Sequence, residues 1–72
     1  MKRIWLRAAR LSAKLKQVEL AERIGKPQSF ISKLETGQLT DPAMSDVIAL
    51  GRELGVDPLR LRFGQRDEAV AS

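Results

Sequence analysis

The sequence of 72 residues contains no cysteine, no histidine and no tyrosine. Without cysteine it can form neither a disulfide framework nor a thiolate metal site. Without histidine it lacks the commonest general base and zinc ligand. Its carboxylates are scattered, and it has no glycine-rich loop of the nucleotide-binding kind. We therefore predict a protein that is not an enzyme and that has no catalytic residues, no metal site and no cofactor.

Long apolar segments are missing as well. No run reaches the roughly 18 apolar residues of a membrane-spanning helix, and the charges that follow Lys2 and Arg3 are unlike a secretory signal. So short a chain can bury only one small core. We expect one domain over residues 1–63, a flexible tail over residues 64–72, and a cytoplasmic protein with no membrane partner.

Basic charge is plentiful, and it is unevenly spread along the chain. Residues 1–33 carry nine Lys or Arg against two Glu, a net charge of +7, whereas residues 34–72 carry four basic and seven acidic groups, a net charge of −3. A basic half suits a polyanionic partner such as a nucleic acid. Mixed charge is also typical of an ordinary solvated surface, so the asymmetry alone does not decide between the two interpretations.

Two short amphipathic segments meet at a glycine between residues 17 and 34. Small or apolar residues recur at helical spacing in both of them: Leu20, Ala21 and Ile24, then Phe30, Ile31 and Leu34. Gly25 suits a left-handed helix end, and Pro27 suits the first turn of a new helix. So short a turn makes the helices cross steeply, which is the pattern of a helix-turn-helix.

The segment LKQVELAERIGKPQSFISKLETG closely resembles the Cro/XRE-type, lambda-repressor-like helix-turn-helix proteins of phages and bacteria, and the resemblance extends over roughly residues 4–61. Ten positions carry it: Gln17, Leu20, Ala21, Gly25, Ser29, Ile31, Ser32, Leu34, Glu35 and Gly37. The sequence departs from the family at Lys16, where a serine N-cap is usual, and at Lys26 and Pro27 in the turn. The loop after Gly37 also lacks the usual Lys or Arg.

The resemblance implies an all-α fold, a compact five-helix lambda-repressor-like DNA-binding domain in which helices 2 and 3 form the helix-turn-helix. The expected ranges are 3–14 for helix 1, 17–24 for helix 2, 27 or 28 to 35 for helix 3, about 41–54 for helix 4 and 58–62 for helix 5. Asp41–Pro42 and Asp57–Pro58 are the start signals of the last two helices.

Helical spacing also predicts which side chains face the core. On helix 1 these are Leu6, Ala9, Arg10 and Ala13. On helix 3 they are Pro27, Ile31, Leu34 and Glu35. On helix 4 they are Met44, Val47, Ile48, Leu50 and Leu54. We expect Leu59 to seal the core, Trp5 to be partly buried, and Gly51 to mark a close approach between helices.

An unpaired charge is expensive to bury, so Arg10 needs a partner on its inward face. The resemblance supplies one, because the corresponding Arg and Glu of related repressors form an internal ion pair. Here that pair is Arg10 with Glu35, and a planar guanidinium can hold a carboxylate through two hydrogen bonds.

The outward face of helix 3 holds the predicted base-reading residues, Gln28, Ser29, Ser32 and Lys33. An amide can pair with adenine N6 and N7, a lysine can reach guanine O6 and N7, and serine hydroxyls suit either a base edge or a phosphate. Phe30 lies at the flank of this face, where it can pack on helix 2 or meet a thymine methyl group. The alternative is an ordinary solvated helix face.

The predicted phosphate contacts surround this face: Lys16, Gln17, Lys26, Thr36, Gln38 and Thr40. Lys16 and Gln17 add a cation and an amide to the positive start of helix 2, where Lys16 offers no side-chain cap and leaves backbone N–H groups free. By resemblance, the loop after Gly37 passes along the DNA backbone.

The resemblance also implies a homodimer whose two-fold contact involves helix 5, and we predict Leu59, Leu61 and Phe63 at that interface. The alternative for Leu61 and Phe63 is packing within their own chain, for example against Trp5. The predicted function is that of a sequence-specific, duplex DNA-binding transcriptional regulator, in keeping with a repressor. It would bind a near-palindromic operator with helix 3 in the major groove. The alternative is an antitoxin or regulatory adaptor whose main role is to bind a protein partner that the sequence does not identify.

Overall fold

Four α-helices and a small sheet form residues 3–64, the part of the chain that the computed structural model describes. The helices are α1 (Leu6–Ser12), α2 (Gln17–Ile24), α3 (Gln28–Thr36) and α4 (Met44–Leu54). A three-residue 3-10 helix, Pro58–Arg60, follows α4, and the strands β1 (Ile4–Trp5) and β2 (Leu61–Arg62) pair in parallel. The expected all-α, five-helix architecture is therefore wrong at both ends of the domain, although the fold is mostly helical. The predicted tail lies outside the described residues except for Gly64.

The helix-turn-helix at the centre of the chain is formed by α2 and α3. Helix α2 has the bounds that its apolar spacing predicts, and it ends at Gly25, whose φ of +72° is left-handed. Helix α3 begins at Gln28 after Pro27 and ends at Gly37, which is also left-handed with φ +87°. Glycine reaches this region without the steric penalty that other residues meet, so these two glycines set the helix ends.

The core lies where α1, α2, α3 and α4 converge. Its fully buried large side chains are Leu6, Leu20, Ile31, Leu34 and Leu50. Full burial of one such side chain stabilises a fold by about 1.5–3 kcal/mol. Ala21 is also buried, and its small side chain lets α3 approach α2 closely. The core therefore fixes the angle at which α3 is presented.

Residues 4 and 5, which were predicted to lie in helix 1, form a short strand instead. Trp5 has an extended backbone, φ −74° and ψ 139°, and Ile4 and Trp5 pair with Leu61 and Arg62. β-Branched and aromatic residues such as these favour strands. The predicted inward face of helix 1 is confirmed at Leu6, Ala9 and Arg10, which are buried, whereas Ala13 lies beyond the helix end and is exposed.

Pro27 on α3 is likewise exposed, although its position on the helical wheel predicted an inward orientation. Its backbone is extended and it stands at the N-cap position rather than inside the helix. Helical spacing therefore does not apply to it. The other three residues predicted to face inward on this helix, Ile31, Leu34 and Glu35, are buried.

Helix α4 starts at Met44, later than the Asp41–Pro42 signal predicted, and no side chain caps it. Leu50 is buried as expected, but Met44 and Ile48 are 57% and 43% exposed, contrary to the prediction. Gly51 is packed so closely that an added Cβ would lie 2.7 Å from Pro58 Cγ and 2.8 Å from the Val56 carbonyl oxygen. The close approach expected at this glycine is therefore present.

The helix that follows α4 is shorter than predicted. Asp57 accepts a hydrogen bond from the Leu59 N–H at 3.0 Å, as an N-cap should, but the turn that it starts has only three residues. Leu59 is 70% exposed, so the expectation that it seals the core is wrong. Leu61 fills that place with 7% exposure because β2 turns its side chain inward. No helix within residues 3–64 is long and apolar enough to cross a membrane.

Candidate nucleic-acid interface

A buried ion pair lies directly behind the outward face of α3. Arg10 Nε donates to Glu35 Oε2 at 2.5 Å, and Arg10 Nη2 donates to Glu35 Oε1 at 3.0 Å. The third guanidinium nitrogen, Nη1, donates to the Leu15 carbonyl oxygen at 2.9 Å. Arg10 and Glu35 are 8% and 2% exposed. The structure thus brings the two predicted partners together in the two-bond geometry that suits a guanidinium and a carboxylate.

Two glutamines extend this ion pair to the protein surface. Gln17 Nε2 donates to Glu35 Oε1 at 3.0 Å, and Gln28 Nε2 donates to Gln17 Oε1 at 3.3 Å. A carboxylate only accepts hydrogen bonds, so Gln17 must turn its NH2 group toward Glu35 and its oxygen toward Gln28. Gln28 must in turn direct its NH2 group at Gln17. The network therefore fixes the direction of the Gln28 amide at the first residue of α3.

The predicted base-reading residues share the side of α3 that faces away from the core. Gln28, Ser29 and Lys33 are exposed, and Ser32 is half-buried. The Gln28 amide keeps its oxygen and one N–H beyond the bond to Gln17. Together these side chains present an amide, two hydroxyl groups and an ammonium group on one helix face, the donors and acceptors that base edges in a major groove require.

The start of α2 supports part of the predicted phosphate site. Lys16 is exposed at the N-cap position and makes no side-chain cap. Its backbone N–H is nevertheless occupied, because Glu19 Oε1 accepts it at 2.7 Å. The N–H groups of the first helical turn have no intrahelical acceptor. These N–H groups and the Lys16 ammonium can bind an anion, whereas the Lys16 N–H is already used by Glu19.

Lys26, another predicted phosphate contact, faces α4. Its Nζ lies 3.3 Å from Asp46 Oδ2 and 5.2 Å from the centroid of the Phe30 ring. The lysine side chain is 37% exposed and the Asp46 side chain 17%. Phe30 is half-buried and packs against the core, which is one of the two positions considered for it. Lys26 therefore links the helix-turn-helix to α4 in this structure.

The end of α3 and the loop that follows it hold the remaining predicted phosphate contacts. Gln38 and Thr40 are exposed, whereas Leu39 packs against the core. Thr36 is exposed, but its hydroxyl donates to the Lys33 carbonyl oxygen at 3.3 Å. Since phosphate oxygens only accept hydrogen bonds, Thr36 would have to give up that bond to donate to DNA. The loop therefore offers Gln38, Thr40 and backbone N–H groups.

The three predicted dimer residues lie in different surroundings. Leu59 is exposed, Phe63 is half-buried against the core, and Leu61 is buried and paired with Ile4. The burial of Leu61 within its own chain leaves it almost no surface for a partner, which corrects its assignment to an interface.

Sequence reasoning also missed the exposure of Met44 and Ile48 on α4. The signal was present, since the apolar residues of α4 cover an arc wider than one inward face.

A family model described as helix-turn-helix matches residues 6–61. The match covers most of the chain and includes the four α-helices and the 3-10 helix. The matched family is one of Cro/C1-type, XRE-type regulators that bind DNA. No curated protein and no solved structure is significantly similar to the chain.

Proposed function

The chain belongs to the Cro/C1-type, or XRE, helix-turn-helix family, and we propose that it reads specific sequences of duplex DNA with α3 in the major groove. The observation that carries this proposal is the orientation of Gln28, whose amide is held by Gln17 at the exposed start of α3. The oxygen and the N–H that remain are the pair of groups that recognise N6 and N7 of adenine.

The other base contacts follow from the same face of α3. Lys33 is exposed on the last turn, where its ammonium group would reach guanine O6 and N7. Ser29 and Ser32 have short side chains that let the helix enter the major groove deeply. Their hydroxyl groups can donate or accept hydrogen bonds. The ion pair behind the helix supports this function because a buried hydrogen-bonded network leaves α3 few alternative positions.

Phosphate contacts would fix the position of α3 along the duplex without adding sequence information. Lys16 and the first-turn N–H groups of α2 would hold one phosphate, assisted by the N–H of Gln17 that Glu35 does not use. On the other side of α3, Gln38 and Thr40 are exposed for a second contact. The net charge of +7 on residues 1–33 supports attraction to the phosphate backbone.

Two copies of the chain would bind a near-palindromic operator, with their recognition helices about 34 Å apart, one turn of DNA. Exposed apolar side chains at Leu59, Met44 and Ile48 support such a contact, because a symmetric dimer buries the same residues on both copies. Phe63 would lie at its margin. Binding of this kind next to a promoter represses transcription by blocking polymerase.

Selection of bound sequences from random duplex DNA, at a stated salt concentration, tests the proposal directly. The parent protein should enrich two half-sites related by a dyad and separated by one helical turn. Gln28→Ala should cost about 1–3 kcal/mol on the preferred site and relax the choice at one base pair. Lys16→Ala is the matched control, because loss of a phosphate contact should weaken all sequences about equally. An unchanged sequence profile for Gln28→Ala would refute the role of Gln28 in base reading.

A further inference from the structure

The loop after α3 lacks basic side chains, although we expect it to pass along the DNA backbone. Residues 37–43, GQLTDPA, contain one acidic side chain, Asp41, and no Lys or Arg. Lysine and arginine supply most of the electrostatic attraction in protein–DNA complexes. The polar groups that this loop offers, Gln38 and Thr40, carry no positive charge, so any cation that acts beside it comes from another part of the chain.

The small sheet lies against this end of α3. The backbones of Gly37 and Gly64 are in contact, since a Cβ added to Gly37 would lie 3.7 Å from the Cα of Gly64. A Cβ added to Gly64 would in turn lie 3.7 Å from Cζ3 of Trp5. Gly64 therefore lies close both to the indole of β1 and to Gly37 at the end of the recognition helix.

Arg62 is stacked on that indole. It pairs with Trp5 in the parallel sheet, and its guanidinium carbon lies 5.2 Å from the centroid of the indole ring. Arg62 is exposed while its neighbour Leu61 is buried, as the alternation of side chains along a strand requires. Stacking on an aromatic face restricts a guanidinium and leaves its N–H groups free at the edge. The arginine is thus restricted by Trp5, and it lies two residues before Gly64, whose backbone meets Gly37 at the start of the loop.

We propose that Arg62 is a DNA phosphate contact, and that Trp5 is the residue that positions it. The guanidinium supplies the cation that residues 37–43 lack, and its planar array of N–H groups can donate two hydrogen bonds to one phosphate. The contact adds affinity without reading a base, because it is directed at the backbone next to the recognition helix. The inference rests on the proposed DNA binding and assigns a third anchoring point, after the start of α2 and the loop itself.

The salt dependence of DNA binding tests the inference. For the full chain, the affinity for the selected duplex and for an unrelated duplex is measured between about 50 and 200 mM salt. Removing one phosphate contact should reduce the slope of log K against log salt by about 0.9. We expect Arg62→Ala to lower both affinities several-fold and to reduce both slopes by that amount. Arg52→Ala, which removes the same charge from the exposed surface of α4, should keep the parental slope.

Two further measurements separate a direct contact from altered folding or general charge. Trp5 is the only tryptophan, so its fluorescence should change when DNA binds the parent, and this change should be smaller for Arg62→Ala. Arg62→Lys keeps the charge but not the planar stack, and should retain the slope while losing part of the affinity. Circular dichroism and thermal unfolding establish that each variant is folded.

The outcomes distinguish this inference from the proposed function. If the parent fails to bind any duplex, the proposed function itself is refuted. If the parent binds and Arg62→Ala keeps both its affinity and its slope, only the Arg62 contact is refuted. Equal losses of slope in Arg62→Ala and Arg52→Ala would also refute it, because they would reflect net charge rather than a contact.

Discussion

The helix-turn-helix, residues 17–36, and the C-terminal part, residues 44–64, are held in different ways. The first is held by a buried ion pair that joins α1 to α3 and makes further hydrogen bonds to the Leu15 carbonyl oxygen and to Gln17 of α2. The second is held by apolar packing, with Leu50 and Leu61 in the core and Gly51 in close contact with Pro58, and by a strand of two residues. It also leaves Met44, Ile48 and Leu59 exposed.

This difference matches the tasks that we propose for the two regions. A surface that reads base edges needs side chains held in fixed directions, and a buried network of hydrogen bonds provides this. A surface that meets a second chain needs exposed apolar groups, whose burial then contributes to association. The comparison therefore predicts that substitutions behind α3 act mainly on stability, whereas substitutions of the exposed Met44, Ile48 and Leu59 act mainly on assembly.

The largest effect should come from breaking the ion pair behind α3. Arg10→Met or Glu35→Leu alone leaves the other charge buried, which should reduce the free energy of unfolding by about 3–5 kcal/mol. The double variant should recover much of this loss because no unpaired charge remains. Urea denaturation of all four proteins gives the coupling energy as a double-mutant cycle. Coupling near zero would mean that the two side chains are solvated separately and that the network does not fasten the helix-turn-helix.

The difference between the two regions also explains which parts of the fold could be predicted from the sequence. The bounds of α2 and the buried face of α3 depend on signals within a few residues, such as the left-handed Gly25 and the spacing of Ile31 and Leu34. The small sheet joins Ile4 to Leu61, at opposite ends of the described chain. Two-residue strands have no periodicity of their own, so nothing local marked them.

The candidate site was predictable to a similar extent. Helical spacing is sufficient to place Gln28 and Lys33 on the outward face of α3. It cannot show that Gln28 is bonded to Gln17, because that bond depends on the crossing angle of two helices. Nor can it show that Lys26 lies against Asp46, since this contact depends on how α4 packs beside the turn.

An intermediate effect on self-association should follow from substitution of the exposed Leu59. Leu59 is 70% exposed, so Leu59→Glu should fold normally but weaken self-association tenfold or more, about 1.4 kcal/mol, by placing like charges across a two-fold contact. Leu61→Glu is the matched comparison, because its side chain is 7% exposed and a buried carboxylate should unfold the domain. Analytical ultracentrifugation measures association, and circular dichroism measures folding. A Leu59→Glu protein that dimerises like the parent would place the interface elsewhere.

The smallest effect should occur where the two regions meet, at Lys26 and Asp46. Their charged atoms are 3.3 Å apart and the lysine remains 37% exposed, so a double-mutant cycle should give a coupling of about 0–1 kcal/mol that decreases with salt. If Lys26 is held by Asp46 when DNA is bound, Lys26→Ala should change the salt slope of DNA binding much less than Lys16→Ala does. An equal reduction in slope would show instead that Lys26 leaves Asp46 and contacts a phosphate, as the sequence alone predicts. The comparison of these two lysines thus decides whether the turn of the helix-turn-helix belongs to the DNA surface or to the contact with α4.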